Sequence, residues 1–421
     1  MYTKLDISGD RFYINGRLTY EEYESCPENY RGLLMNARFI QGIFDDKSDV
    51  RRFDRFGRSF DPAGNTQELC ESLQEWYEKG LRAITVGFQG GGPCFTIDSQ
   101  TIENNPYSSD GRQMDPAYLD RMENVIRKAD ELGMIVIVSF FYGHQVRFLT
   151  DDRAVMEAVK TASNWLRDKE FTNVIIEIAN EHDIDAYRIH PILYNEKGIA
   201  ELIRIAQRES GGIPVGCSTT GAYFSYEIAN ASDIILIHGN NMTRQVFYNH
   251  IMEAKSITPA RPIVCNEDSQ GLTQMQVALD MGVSWGYYNN MTKQEPPSEW
   301  GITKGEDAFF AARLADCLGI ERIREELSEQ FYLQGLERDA CWEGKRWLRL
   351  ASMYPEKIQK VEFYRNGEYF ASAYNDPFTI NYVVNWYQKP VEGIRDGEKW
   401  KAVITLTDGT QIVKEETAEG E

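Results

Sequence analysis

Ile176-Glu177-Ile178-Ala179-Asn180-Glu181-His182 and Ile263-Val264-Cys265-Asn266-Glu267-Asp268 are the stretches whose reading decides the fold. Each is a short apolar run that ends in Asn-Glu. Strands buried on both faces, as in a parallel sheet covered by helices, read as near-continuous apolar sequence rather than as alternation. A carboxylate at the end of such a run sits where the buried strand meets its loop.

Working outward, comparable runs occur at 33–44, 81–88, 134–141, 174–178, 213–217, 233–238, 262–265 and 283–288. Helix-like stretches separate them. Asn65 is a candidate cap with Glu68 three residues on, Leu69, Leu73 and Trp76 make one apolar stripe, and Gly80 is a stop signal. Asp115-Pro116 opens a second helix that Gly133 ends. Ala154, Ala158, Ala162, Trp165 and Leu166 mark a third, and further helices fit 197–209, 243–256, 271–281 and 306–319. The fifth crossover, around 221–230, is short. Eight strands, each followed by a helix or a short substitute, predict an α/β fold of the (β/α)8 TIM-barrel type. An open doubly wound sheet is the competing topology, but no GxGxxG follows the first strand.

Two flanking segments read differently. Phe12-Tyr13-Ile14-Asn15-Gly16-Arg17-Leu18 carries a hairpin signal before the barrel. After Trp342, short strand-like segments around Trp347–Leu350, Val361–Tyr364 and Ala402–Leu406 are punctuated by Asn366-Gly367 and Asp408-Gly409. The expected division is a barrel over 1–335 and a small immunoglobulin-like β-sandwich over 342–421, joined through the charged segment 321–339.

Barrel active sites lie at the C-terminal ends of the strands. Strands four and seven face each other across the mouth, so Glu181 and Glu267 are placed to converge on one bond. Hydrolysis of a glycoside with retention needs such a pair, one carboxyl protonated to assist the leaving oxygen and one ionised to attack the anomeric carbon. Mutual repulsion and burial are what push two close carboxyls into different protonation states.

These residues resemble the signature of clan A glycoside hydrolases, the group containing family five cellulases and mannanases. The resemblance covers most of residues 10–320. It implies Glu181 as acid/base, Glu267 as nucleophile and Asn180 as ligand of the sugar 2-hydroxyl. It also implies that His238, in Leu236-Ile237-His238-Gly239-Asn240, touches the nucleophile, with Asn240 beside it. Trp285, in Ser284-Trp285-Gly286-Tyr287, would floor the sugar site, and Arg38 would serve near strand one. His144, after strand three, matches a position where the clan often places a substrate-binding His. One departure stands out: the cellulase-type Asn-Glu-Pro is here Asn180-Glu181-His182. The C-terminal segment resembles the immunoglobulin-like domains appended to bacterial glycosidases.

Other residues are candidates on position alone. Gln89 precedes Gly90-Gly91-Gly92-Pro93, a glycine-rich loop that lacks the Lys-Ser/Thr of a phosphate loop and so reads as a close-packed segment near the site. Tyr142, Tyr287, Tyr288 and Trp300 are aromatics at strand ends or in the loop after strand eight, suited either to stacking on sugar or to packing in the core. The remaining histidines, His182, His190 and His250, carry no assigned role.

Composition narrows the partners. The 421-residue chain has a formal net charge of -20, which argues against nucleic acid or an anionic membrane; carbohydrate is the partner that the glycosidase resemblance implies. No apolar run is long enough to span a bilayer. Met1-Tyr2-Thr3-Lys4 shows no signal peptide, so the chain is either cytoplasmic or an extracytoplasmic protein relieved of its leader, the latter slightly favoured. The seven cysteines are scattered, five histidines include no HxH or HExxH, and neither metal nor cofactor is expected. Oligomeric state is left open. The competing function classes are a catalytically silent carbohydrate-binding barrel, which would have no need of both glutamates, and another barrel enzyme such as an aldolase or a metal-dependent hydrolase. A Schiff-base enzyme requires a strand-end Lys, and no predicted strand ends in one.

Overall fold

The computed structural model describes residues 1–55, 57–221, 223–323 and 326–420. It is a mixed α/β protein built on parallel strands: β1 (Asn36–Arg38), β2 (Ala83–Gly87), β3 (Ile135–Tyr142), β4 (Val174–Asn180), β5 (Val215–Gly216), β6 (Ile235–His238), β7 (Ile263–Glu267) and β8 (Gly286–Tyr287). Strands β1 to β5 pair in chain order, and β8 pairs with the free side of β1, Gly286 opposite Asn36. Strands β6 and β7 pair in parallel, Ile263 opposite Ile235. Two further contacts join these sets: Asp233 N–H donates to Val215 C=O at 2.8 Å, and Val264 bridges to Ser284 in parallel.

Helices connect the strands, with ends set by local chemistry. The helix Pro62–Glu78 buries Leu69, Leu73 and Trp76. Its cap is Asp61, which accepts from Gly64 N–H, and not the expected Asn65. Asn65 lies inside the helix, its side chain donating to Gln41 C=O at 3.0 Å. Asp115 caps the helix Pro116–Leu132, and Gly133 ends it at φ 83°, a left-handed conformation open to glycine at little steric cost. In the fifth crossover the helix Tyr226–Ala231 spans six residues. Residue 222 of that crossover and residues 324 and 325 of the predicted linker lie outside the described residues.

The space between the strands changes character from one end to the other. At the N-terminal end Leu34, Ala83, Ile135, Ile137, Ile175, Leu236 and Val264 form an apolar cluster with Leu5 and Phe12. The latter two belong to the antiparallel pair Leu5–Ser8 and Arg11–Ile14, which packs there. The predicted Asn15-Gly16 turn follows, with both residues at positive φ (54° and 76°). Two residues further along the strands the buried side chains are polar: Asn36, Thr85, Ser139, Glu177 and Asn266. Apolar burial holds one end together, and the costly polar burial is concentrated toward the C-terminal ends, where it requires partners.

The C-terminal region is antiparallel. The pairing begins at Phe331–Gln334, which pairs with Arg349–Ser352, so the β-region starts before Trp342. A four-stranded sheet orders Glu368–Ala373, Ile358–Arg365, Lys399–Leu406 and Gln411–Thr417, with Val361, Phe363, Trp400, Ala402 and Ile404 buried beneath it. Asn366 and Gly367 have φ 49° and 87°, the backbone of the predicted two-residue turn. The region is tied to the parallel layer by buried Arg349, whose Nε lies 2.6 Å from Glu306 Oε1. Among the described residues, no helix is long and apolar enough to cross a membrane.

Candidate active site

The C-terminal ends of β1, β4, β6 and β7 bring charged side chains together. Glu181 follows β4 with φ 49°, a conformation uncommon outside glycine and a sign of a backbone held by its surroundings. Its N–H donates to Ser218 Oγ at 3.1 Å. Ser218 in turn donates to Glu177 Oε1 at 2.7 Å, and Asn266 Nδ2 donates to the same oxygen at 2.9 Å. Glu177 thus braces the chain ends that carry Glu181 and Glu267.

The two glutamates share neighbours. Arg38 Nε lies 2.7 Å from Glu267 Oε2, and Arg38 Nη2 donates to Asn180 Oδ1 at 2.7 Å. Asn240 Nδ2 donates to Glu267 Oε1 at 2.8 Å and lies 3.4 Å from Glu181 Oε1. His238 Nδ1 is 3.0 Å from Glu181 Oε1 and 3.8 Å from Glu267 Oε2. Among the described residues, Glu181, His238 and Glu267 form a group whose donor atoms all lie within 4.8 Å of one another. The side chains of Glu181 and Glu267 remain 18% and 9% exposed, so both are reachable, while that of His238 is fully covered.

The electrostatics follow from burial and these contacts. Burial raises Glu267 and so do Glu181 and Glu177, while Arg38 and His238 oppose the rise; the net effect is upward. For Glu181 burial again works upward, but the hydrogen bond and charge of His238, with Asn240 and Arg38, bring it below the ordinary carboxylate value. Burial lowers His238, and Glu267 and Glu181 more than reverse this, leaving it raised. His238 and Glu181 therefore compete for one proton across a 3.0 Å contact.

Arg38, Asn180, Glu181, His238, Asn240 and Glu267 are brought together. Tyr142 and Tyr288 stand close by. The Arg38 guanidinium is 5.7 Å from the Tyr288 ring centre, and the Tyr288 hydroxyl is buried without a protein partner among the described residues. Gln89 is one step removed. Its Oε1 accepts from Tyr142 N–H at 3.1 Å and its Nε2 donates to Asn105 Oδ1 at 2.8 Å, so it fixes Tyr142 instead of facing the glutamates. The Tyr142 ring also explains the glycine-rich loop, since a Cβ on Gly91 would come within 2.0 Å of it.

Four predicted residues are not brought to the pair. Trp285 is fully buried, donates from Nε1 to Asp268 Oδ2 at 2.6 Å and packs on Phe310 of the helix Glu306–Cys317. It points outward into the helix layer and does not floor a cleft. Tyr287 shares that side, stacked on Phe310 at 4.2 Å with its hydroxyl donating to Asp307. Alternation along a strand is the reason: Trp285 and Tyr287 point one way and Tyr288 the other. Trp300 is buried, donates to Asn65 Oδ1 at 3.0 Å and packs edge-on against Phe39. His144 is exposed in the short 3-10 helix Gly143–Phe148, its proton affinity lowered by partial burial and by Arg147.

Three contributors escape a reading by motif. Glu177 was legible in principle, two and four residues before Ala179 and Glu181 on one strand face. Ser218 follows a strand of two residues, too short to place its neighbours. Cys94 lies in a loop without periodicity; its N–H donates to Glu295 Oε1 at 2.6 Å, and burial with the charges of Glu295, Glu267 and Glu181 raises its thiol.

No model of a known protein family matches the chain, and no curated protein matches it by sequence. Solved structures do resemble it. A provisionally named glycoside hydrolase from Bacteroides vulgatus ATCC 8482 is 11% identical, with a TM-score of 0.50 over 98% of this chain and 83% of that one. An endo-β-1,4-mannanase from Thermotoga petrophila is 13% identical, covering 94% and 98% of the two chains at a TM-score of 0.46. β-Glucuronidase 2 of Bacteroides uniformis is 10% identical at a TM-score of 0.47 over 100% of this chain and 48% of that one. The chain thus spans about half the length of that β-glucuronidase. At 11% identity the Bacteroides vulgatus likeness concerns the fold, and the other two overlays are looser.

Proposed function

We propose that the chain is a retaining glycoside hydrolase acting on a β-linked glycoside, on a closed (β/α)8 barrel followed by an immunoglobulin-like module. Closure is supported by the β8–β1 pairing and by the contacts from β5 to β6 and from β7 to β8. The boundary between the parts falls just before Phe331, because that strand already pairs within the antiparallel layer.

The observation that carries the reading is the nearest approach of Glu181 and Glu267, one carboxylate oxygen of each lying within 4.8 Å of the other, which suits a retaining pair. Retaining enzymes hold their carboxyls at ~5–5.5 Å, and inverting enzymes need ~6.5–9.5 Å to admit a water between them. Glu267 is the nucleophile: Arg38 keeps a permanent positive charge on Oε2, and Asn240 holds Oε1. Glu181 gives its proton to the glycosidic oxygen as Glu267 bonds to the anomeric carbon and the leaving sugar departs. Glu181 then takes a proton from water, which attacks that carbon and releases Glu267. Asn180 uses Oδ1 to accept from Arg38, which leaves its Nδ2 to donate to a hydroxyl of the sugar.

Replacing Glu267 by Gln tests the reading. Hydrolysis of a panel of 4-nitrophenyl β-glycosides is expected to fall to background, and activity that persists undiminished sinks it. Azide added to Glu181→Ala should restore turnover of a glycoside with a good leaving group and give a β-glycosyl azide. A catalytically silent barrel would bind oligosaccharide without turning over any of the panel.

A second reading has one observation in its favour: Glu181, His238 and Glu267 offer three donors at a spacing a metal ion accepts. The Arg38 guanidinium on Glu267 weighs against it, because it already neutralises one ligand and repels a cation. Activity lost to a chelator and restored by zinc or manganese would favour the metal.

A further inference from the structure

The C-terminal β-region reaches the catalytic end of the strands. Its hairpin Tyr382–Val384 and Tyr387–Gln388 places Asn385 and Trp386 at the connecting turn. Asn385 is buried, and its Nδ2 donates to Gln274 Oε1 at 2.8 Å. Its Oδ1 accepts from Asn241 N–H, and Gln274 Nε2 donates to Gly239 C=O at 2.9 Å. Gly239 and Asn241 flank Asn240, the side chain that bonds Glu267. The next residue is fixed too, since Trp386 C=O accepts from Asn290 Nδ2 at 2.6 Å, two positions after Tyr288. Tyr387 stacks on Phe95 at 5.6 Å and 11°, and Phe95 adjoins Cys94. The turn is therefore held by the loops after β2, β6 and β8, the same chain ends that surround the glutamates.

Trp386 is half-buried, with its ring centre 5.7 Å from Tyr387 and 6.5 Å from Phe95. Packing covers part of the indole and leaves part of it open. A half-open tryptophan whose backbone is pinned on both sides is a rigid apolar surface with little left to order on binding. The C–H face of a pyranose ring is its natural complement.

We propose that the C-terminal β-region supplies one wall of the glycan cleft, with Trp386 as the ring on which a sugar of the substrate stacks. This rests on the glycosidase reading of Glu181 and Glu267. It assigns the appended module to substrate specificity and predicts that sugars beyond the scissile bond contribute to binding.

The test compares Trp386→Ala and Trp386→Phe with the wild type on two kinds of probe. One is the 4-nitrophenyl β-monosaccharide the wild type cleaves fastest, and the other is the β-1,4-linked hexaose of the same sugar. For Trp386→Ala, KM for the hexaose should rise roughly fivefold to tenfold, with kcat and the monosaccharide rate held within about twofold. Trp386→Phe keeps an aromatic face and should recover most of the loss. An unchanged hexaose KM in Trp386→Ala overturns the proposal. So does equal loss on both probes in both variants with a lowered Tm, which would make Trp386 a packing residue. If the wild type cleaves none of the probes, the glycosidase reading fails and the subsite with it.

Discussion

Arg38→Met removes a permanent positive charge from a buried carboxylate without removing either glutamate. Arg38 Nε stands 2.7 Å from Glu267 Oε2, and both side chains are almost wholly covered, at 0% and 9% exposure. Leaving one member of such a pair unpaired costs about 3–5 kcal/mol, and at about 1.4 kcal/mol per tenfold this is roughly two to four orders of magnitude in the population of ionised Glu267. The penalty is escaped by protonating Glu267, whose carboxyl burial has already raised and which Arg38 does most to lower. Removing Arg38 therefore moves Glu267 further up, and the ionised form that the proposed mechanism uses as nucleophile appears only at higher pH. The assay is kcat/KM against pH on the best chromogenic glycoside. The acid limb should move toward neutrality, with a loss of two orders of magnitude or more on the acid side that shrinks as pH rises. Arg38→Lys keeps the charge but gives up the planar fork that also reaches Asn180, and should fall between the two. An acid limb that stays in place, with less than about tenfold loss at every pH, refutes the assignment of Glu267 as an arginine-held nucleophile.

Three further outcomes can be checked. Trp285→Phe keeps the aromatic packing but strips a buried hydrogen bond from Asp268, so stability in denaturant should fall by about 1–3 kcal/mol while KM stays unchanged; a raised KM would return Trp285 to the cleft. Lys293→Met strands fully buried Asp307, whose Oδ2 is 2.7 Å from Lys293 Nζ, and should cost about 3–5 kcal/mol in the same measurement. Burial pushes Asp376 up from 3.8 to about 6 against the opposing hydrogen bonds from Thr273. The folded chain thus holds more protons there than the unfolded chain, and this group's stabilising contribution, full below the unfolded value, is lost as pH rises through about 6. Asp376→Asn should therefore raise Tm at pH 8 relative to wild type and leave the difference small at pH 4, and a gain confined to low pH would refute this.

The parallel α/β layer and the antiparallel C-terminal layer were both legible, because each rests on a pattern that extends over many residues. Val174–Ala179 is apolar on both faces with a single polar exception, Glu177, which is how a strand under helices reads. Pairs such as Asp115-Pro116 and Asn366-Gly367 mark ends by backbone chemistry that needs no tertiary context. The cap at Asp61 was missed because Asn65 offers an equally good local signal, and only its hydrogen bond to Gln41 settles which residue serves. Within the site, strand ends pointed to Glu181 and Glu267, and the family resemblance added Arg38 and His238. The aromatics were harder. Trp285 and Tyr288 belong to a segment of which only Gly286–Tyr287 is regular strand, so register decides which ring faces in, and register is a tertiary property. Asn385 and Trp386 lie 144 and 96 residues from the loop residues Asn241 and Asn290 that they touch, and no local pattern announces such a contact.

The proton arithmetic of the site also bears on its mechanism. Glu267 with Arg38 is one neutral unit, and Glu181 with His238 is another, whichever of the two holds the shared proton. Moving that proton from His238 to Glu181 leaves the net charge unchanged, but it converts an ion pair into two neutral groups. Water stabilises the ion pair, and its exclusion favours the neutral form. Without substrate His238 is raised and Glu181 lowered, a direction that favours the shared proton on His238. On the proposed reading, a sugar that displaced solvent from the 18%-exposed Glu181 would tip the balance the other way. Under the proposed mechanism the substrate thereby arms its own acid: Glu181 is protonated when a glycosidic oxygen is there to receive the proton. Glu267 does not follow, because its partner is an arginine that cannot give a proton up. On that proposal, the identity of the cationic neighbour, histidine for one glutamate and arginine for the other, is what distinguishes the acid from the nucleophile.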